Sequence, residues 1–242
     1  MILGLDVGVV AVLCCVLVVG AAVQGLVGLG VGLVSAPFVT MLAPELMPGL
    51  LLFIGFLTPA ISLLADHGDI DWRGLGWAVP WRIPGTVLGV WLVAVVSGRA
   101  LEVAVGAMVL TSVLVTWRAV EVPINRSNLS IAGFVSGVTA TTTSIGGPSI
   151  AVLYQHQPAR RIRSTLAVYF ALGALFSLTG LAVAGHLTRA EVGLAVLAIP
   201  AIALGIGLSV LIRTRVRADS IRTGVLIVCA ASAVTLLVRA LA

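Results

Sequence analysis

Two stretches rich in glycine, proline and small hydroxyl side chains are the parts of the sequence whose residue types suggest chemistry. They cover residues 25–37 and 137–149, and neither contains a carboxylate that would favour a cation. Glycine and proline interrupt helices, and an interrupted helix exposes backbone N–H groups at the start of its second half. Those amides lie at the positive end of the helix dipole. The pattern therefore favours the binding of a small anion.

The candidate binding residues are glycines that bring backbone amides close to an anion, prolines that interrupt the helix, and hydroxyls that can donate to an oxyanion. They are Gly28, Gly30, Gly32, Ser35 and Pro37 in the first stretch, and Thr141, Thr142, Thr143, Ser144, Gly146, Gly147 and Pro148 in the second. An alternative stays open for the first stretch, because Gly28 and Gly32 are spaced as a GxxxG pair that lets membrane helices pack closely. The two roles are compatible.

Two arginines extend the candidate site. Arg82 lies between Pro80 and Pro84 inside an apolar run, where a charge is costly enough in a membrane to suggest a function. It could instead extend its head group to the membrane surface. Arg163 ends a cluster of three arginines and fits either the gating of an anion path or the placement of positive charge that sets topology.

Composition places these residues in a membrane. The chain has 242 residues, of which 60% are hydrophobic and 10% charged, whereas soluble domains carry roughly 25% charged residues. All 14 basic residues are arginine, so the sequence has no lysine for a Schiff base or a Walker A loop. It also lacks an HExxH motif and a nucleophile elbow. These observations exclude a soluble fold, a retinal protein and a P-loop ATPase, and they disfavour an enzyme.

The predicted fold is all-α and polytopic. The first uncharged run has 38 residues between Asp6 and Glu45, and as one helix it would be about 57 Å long, nearly twice the ~30 Å hydrocarbon core. The uncharged run between Arg126 and Arg160 would also be too long for the hydrocarbon core as one helix. Each must break, either crossing as two half-helices or folding back as a re-entrant hairpin. Eight membrane segments are predicted, at about residues 7–43, 46–65, 74–98, 102–117, 128–157, 164–185, 191–212 and 222–239.

The two overlong segments open two halves of the chain that resemble one another. Residues 77–80 followed by Gly85 match residues 197–200 followed by Gly205 at a constant offset. Internal repeats of this kind are common in secondary transporters, whose broken helices meet at a site near the middle of the membrane. The sequence therefore predicts one integral membrane domain made of two repeats, residues 1–120 and 121–242.

The order of motifs resembles the sulfite exporter TauE/SafE family of bacterial membrane proteins over nearly the whole chain. The resemblance rests on residues 25–37 and on Gly68-Asp69-Ile70-Asp71-Trp72, Pro84-Gly85-Thr86-Val87-Leu88-Gly89, Gly133-Phe134-Val135-Ser136-Gly137, Gly146-Gly147-Pro148, Arg163-Ser164-Thr165-Leu166 and Tyr169-Phe170. It implies a transporter that moves sulfite, organosulfonates or related small anions out of the cytoplasm.

The hypothesis is therefore secondary export of a small sulfur oxyanion by alternating access around the two broken segments. Two alternatives are a non-transporting membrane subunit with glycine-mediated helix packing and an anion channel. The expected location is the inner (cytoplasmic) membrane, with multiple crossings, and the expected partners are the small anion and membrane lipid. The positive-inside rule accounts for the arginine clusters without nucleic acid. No cofactor or metal is expected, and a homo-oligomer is left open.

Overall fold

The computed structural model describes residues 6–28, 31–65, 68–118, 122–212, 227 and 229–238, and all regular structure in these ranges is helical. The prediction of an all-α fold is confirmed for this part of the chain. A short 3-10 turn, Pro44–Leu46, precedes the third helix. The α-helices are α1 Val7–Val27, α2 Val31–Leu42, α3 Gly49–Ala65, α4 Trp72–Val95, α5 Gly98–Arg118, α6 Arg126–Thr143, α7 Gly147–Tyr154, α8 Ala159–Val183, α9 Arg189–Leu197, α10 Ile199–Ile212 and α11 Cys229–Val238.

Three helices in the described ranges, namely α1, α4 and α8, are long and apolar enough to cross a membrane. A fourth crossing results if α9 and α10, which meet at a bend of 42°, form one span. Shorter apolar helices, including α2, α3 and α11, accompany them. The chain is thus a helical, multi-pass membrane protein, while the number of eight crossings stays a prediction. The beginning of the eighth predicted segment lies outside the described residues.

Both overlong segments are interrupted within the two glycine-rich stretches. Helix α1 ends at Val27, where Gly28 adopts a left-handed conformation with φ 90° and donates its N–H to the Gln24 carbonyl at 2.7 Å. Helix α6 ends at Thr143, where Ser144 is also left-handed with φ 59° and donates its N–H to the Ala140 carbonyl at 2.9 Å. A left-handed residue commonly ends a helix in this way. The chain then restarts as α2 and α7.

Helices α4 and α6 approach closely through small residues on both partners. Gly85 and Gly89 on α4, and Gly133 and Gly137 on α6, each lie against atoms of the opposite helix where a side chain would not fit. Each helix therefore carries a GxxxG pair at this contact. The sequence suggested this packing role for another pair, Gly28 and Gly32. The contact brings Arg82 of α4 next to α6.

Replacing Gly133 with alanine is expected to destabilise the protein by about 1–3 kcal/mol, because the new Cβ would overlap the backbone carbonyl of Ala78 and overpacking cannot be relieved by a side-chain rotation. Gly76→Ala on α4 is the matched control, since a Cβ there meets no atom within 4 Å. That substitution should be neutral or stabilising, because alanine favours helix over glycine. Thermal unfolding in detergent measures the change in stability of each variant. Equal melting temperatures for the two variants would contradict the proposed packing of Gly133.

A polar network at one end of the bundle ties three helices together. The Asp71 carboxylate caps α4 by accepting from the Gly74 N–H at 3.1 Å, and it accepts the Tyr154 hydroxyl of α7 at 2.9 Å. Arg161 of α8 lies 3.5 Å from the same carboxylate. The Asp71 N–H also donates to the Thr165 hydroxyl at 3.0 Å. This network fixes the end of the short helix α7 relative to α4 and α8.

Candidate functional site

A cavity of about 60 Å³ lies where the two interrupted segments meet. The start of α2 contributes Val31, Gly32 and Leu33 to its wall, and the second break and the start of α7 contribute residues 144–148. The remaining lining residues come from α1, α3, α4, α6 and α8, and they are Gln24, Leu51, Leu52, Gly55, Arg82, Ala140, Phe170 and Ala174. The structure thus brings together Gly32, Ser144, Gly146, Gly147, Pro148 and Arg82 of the predicted site.

The N-termini of α2 and α7 both open on this cavity. The first turn of a helix has N–H groups without partners in the helix itself, and the positive end of its dipole lies there. On α7, the N-cap residue Gly146 has no side chain that could cap the first turn, and Pro148 in that turn has no N–H. On α2, the Val31 N–H donates to Oε1 of Gln24 at 3.1 Å. Two positive helix ends therefore converge on one small space.

The two breaks are also in direct contact. A Cβ added to Gly32 would overlap the carbonyl oxygen of Ser144, so glycine is required for α2 to lie against the second break. The Ser144 hydroxyl donates to the Pro48 carbonyl at 3.0 Å, just before α3 begins. Ser144 thus contacts both the start of α2 and the residue that precedes α3.

Arg82 is the charged group of the cavity, and its side chain is only 2% exposed. Nη1 donates to the Ser136 hydroxyl at 3.4 Å, and Cζ lies 4.6 Å from the centroid of the Tyr169 ring, a cation–π distance. Nε has no hydrogen-bond partner among the described residues. No carboxylate in that part of the chain forms an ion pair with Arg82. The alternative in which Arg82 reaches the membrane surface does not hold.

A buried cation without a negative partner is costly, because desolvation is not compensated by Coulomb attraction. The cavity beside Arg82 can accept a negative charge that would provide this compensation. Helix α8 leaves room for the guanidinium at Gly173, where any Cβ would overlap it. Arg82, the two helix N-termini and Gly173 together form a cationic hollow inside an apolar protein.

The predicted hydroxyl donors of α6 are engaged elsewhere. Thr141, Thr142 and Thr143 donate to backbone carbonyls of the preceding turn at 2.8, 3.0 and 2.8 Å, a bond that hydroxyls commonly make inside helices. Ser35 and Pro37 are buried within α2. None of these five residues is part of the cavity wall. Gly30 lies outside the described residues.

A second cavity of about 30 Å³ holds the remaining predicted residues, Gly28 and Arg163. A Cβ added to Gly28 would lie 3.2 Å from Cα of Arg163, so the left-handed glycine packs directly on α8. Ser62 and Ser209 add hydroxyls to the wall, and Gln24 borders this cavity as well as the first.

Gln24, Ser136 and Gly173 are site residues that the sequence did not single out. Gln24 offered one signal, since it is the sole amide side chain in the uncharged run over residues 7–44. Ser136 lies in a motif that carries the family resemblance but was not given a role, and Gly173 offered no signal, because both roles depend on the position of Arg82.

The fold and the cavity define a multi-pass helical membrane protein with a buried cationic site. The family model described as sulfite exporter TauE/SafE matches residues 12–236, so the chain belongs to this family. Its members are membrane transporters of sulfur anions and not enzymes, which sets aside the enzyme and the non-transporting subunit. Neither a search of curated proteins nor a search of solved structures returns a match to the chain.

Proposed function

We propose that this protein exports sulfite or a similarly small sulfur oxyanion across the cytoplasmic membrane by alternating access. One observation carries the proposal: the guanidinium of Arg82 is buried without a carboxylate partner in the described part of the chain, and it borders a cavity on which two helix N-termini converge. Arg82 supplies the full positive charge, and the first turns of α2 and α7 supply amide donors. Family membership supports a sulfur anion as the cargo.

The size of the cavity supports a small inorganic anion over a large organosulfonate. Its volume of about 60 Å³ exceeds the ~10–15 Å³ that one water requires, so it has room for a few waters or for one compact oxyanion. The wall also includes the apolar side chains of Leu51, Leu52 and Phe170. A cavity of this volume favours a compact oxyanion over a sulfonate that carries an alkyl tail.

The proposed direction follows from the membrane potential. An inside-negative potential drives anions outward by roughly 2.3 kcal/mol per charge per 100 mV. Export therefore needs no coupling ion, whereas uptake would need one.

The proposed architecture has two repeats, residues 1–120 and 121–242, that contribute one interrupted segment each. Movement of one repeat against the other would open the shared site to alternate sides of the membrane. The contact of Gly32 with the Ser144 carbonyl, which joins the two segments, supports this arrangement.

Counterflow of sulfite in proteoliposomes tests the proposal against the anion channel. An alternating-access transporter loaded with unlabelled sulfite should transiently accumulate labelled sulfite above its equilibrium level, and its flux should saturate. A channel would show neither property. Ethanesulfonate should compete with sulfite at least roughly tenfold less well, because a steric misfit of its ethyl group that costs about 1.4 kcal/mol already lowers the affinity tenfold. Linear flux without counterflow, or uptake that requires an inward ion gradient, would contradict the proposal.

A further inference from the structure

The first cavity, beside Arg82, and the second cavity, beside Arg163, are neighbours that share one residue of their walls, Gln24. The first holds Arg82 and both helix N-termini, and the second holds Arg163, Ser62 and Ser209. Gln24 lies near the end of α1, and its side chain is buried at 7% exposure. A buried polar side chain thus borders both cavities within an otherwise apolar bundle.

Gln24 also accepts a hydrogen bond from a backbone N–H that could otherwise donate to an anion. Its Oε1 accepts from the N–H of Val31, the first residue of α2, at 3.1 Å. This amide belongs to the positive end of α2, which opens on the first cavity. The carboxamide oxygen therefore stands in for an anionic oxygen at that helix end.

We propose that Gln24 is the gate between the two cavities and that the anion opens it by taking over the Val31 amide. On arrival of the anion, an oxygen of the substrate replaces Oε1 as the acceptor of the Val31 N–H. The carboxamide is then released from α2, and the partition between the cavities moves with it. The first cavity, which then holds the anion, becomes continuous with the second cavity, toward the arginine-rich start of α8. This inference rests on the proposed function and adds a residue that controls passage.

The backbone around Gln24 suits a side chain that changes partner. Gln24 is in the last turn of α1, where its carbonyl accepts the Gly28 N–H, and Gly28 packs on Arg163. Gly25, the next residue, lies against Ser209 of α10. The main chain after Gln24 is therefore packed against α8 and α10, so rotation of the Gln24 side chain is the simplest way to release the Val31 amide.

Sulfite counterflow with three variants of the full-length protein tests the gate. Gln24→Ala removes the partition, so downhill sulfite flux should persist while the counterflow overshoot falls at least about tenfold. Gln24→Leu keeps the volume of the side chain but not its acceptor, so the overshoot should be retained. Gln24→Glu keeps shape and acceptor but adds a negative charge that competes for the Val31 amide and Arg82. Its KM for sulfite should rise at least about tenfold, the equivalent of 1.4 kcal/mol.

The outcomes separate the gate from the function on which it rests. If wild-type protein shows no saturable counterflow, the proposed function fails and the gate fails with it. If wild-type counterflow is normal and Gln24→Ala shows the same overshoot, the gate alone is wrong. A Gln24→Glu protein that folds and has a wild-type KM would also overturn it, and this variant decides the matter if Gln24→Ala does not fold. A purely structural cap would lower melting temperatures and leave the overshoot and KM of the folded protein unchanged.

Discussion

Replacing Arg82 with glutamine is expected to weaken sulfite binding strongly and to leave the unliganded protein at least as stable as the wild type. Truncating one partner of a buried charge pair costs about 2–5 kcal/mol of binding, which raises Kd roughly 30-fold or more. In the unliganded protein the same change removes a buried charge that has no carboxylate partner in the described ranges. Because an uncompensated buried charge is costly, its replacement with a neutral group is expected to be neutral or stabilising.

Thermal unfolding with and without sulfite measures both effects. Ligand at 100 times the wild-type Kd stabilises a protein by about 2.7 kcal/mol, and a Kd raised about 30-fold or more leaves less than about 1 kcal/mol of this increment in Arg82→Gln. The matched control is Arg126→Gln, because Arg126 is exposed at the start of α6 and contacts the Trp77 ring at 4.9 Å. Its sulfite response should be that of the wild type. Retained stabilisation in Arg82→Gln, or an equal loss in both variants, would show that Arg82 is not the anion-binding charge.

Replacing Gly173 with alanine is expected to weaken sulfite binding at least about tenfold while the fold is retained. The added methyl group would occupy the position of the Arg82 guanidinium. Because that guanidinium is the end of a flexible side chain, it moves away while the backbone of α8 stays in place. A displaced donor loses hydrogen bonds to the anion, each contributing about 1.5–3 kcal/mol when a charged group is involved.

Gly207→Ala on α10 is the control for Gly173→Ala, since a Cβ there meets no atom within 4 Å. The double variant Arg82→Gln/Gly173→Ala provides a stricter test. If Gly173 acts only by making room for Arg82, the alanine should have no further effect on binding once Arg82 is gone, so the two changes will be strongly non-additive. Additive losses would assign Gly173 a separate role in the site.

The location of the breaks could be predicted from the sequence because their causes are local. A run of 38 uncharged residues is too long for one straight crossing, and glycine at Gly28 supplies the left-handed conformation with φ 90° that ends α1. In α6 the left-handed position is taken by Ser144 with φ 59°, and Gly146 and Gly147 follow. Length and glycine content were sufficient to place an interruption in each stretch, while the left-handed serine that ends α6 is not a residue that conformational preference selects.

The roles of individual side chains could not be predicted in the same way, because they depend on neighbours distant in sequence. The hydroxyls of residues 141–143 fit an oxyanion by type, yet the continuing helix α6 offers them backbone carbonyls four residues earlier. Whether Arg82 is buried or extends to the surface depends on the space at Gly173, on the Ser136 hydroxyl of α6 and on the Tyr169 ring. The position of Gln24 between two cavities likewise exists only after α1, α2, α8 and α10 have packed.

A structure of the protein in lipid nanodiscs with selenite, the heavier analogue of sulfite, tests the role of Arg82 most directly. We expect density for the anion between the N-termini of α2 and α7, with an oxygen at ~2.7–3.2 Å from the guanidinium nitrogens of Arg82. Selenite bound at another site, with only water beside Arg82 at saturating concentrations, would contradict the claim that this buried arginine and the two helix ends receive the substrate.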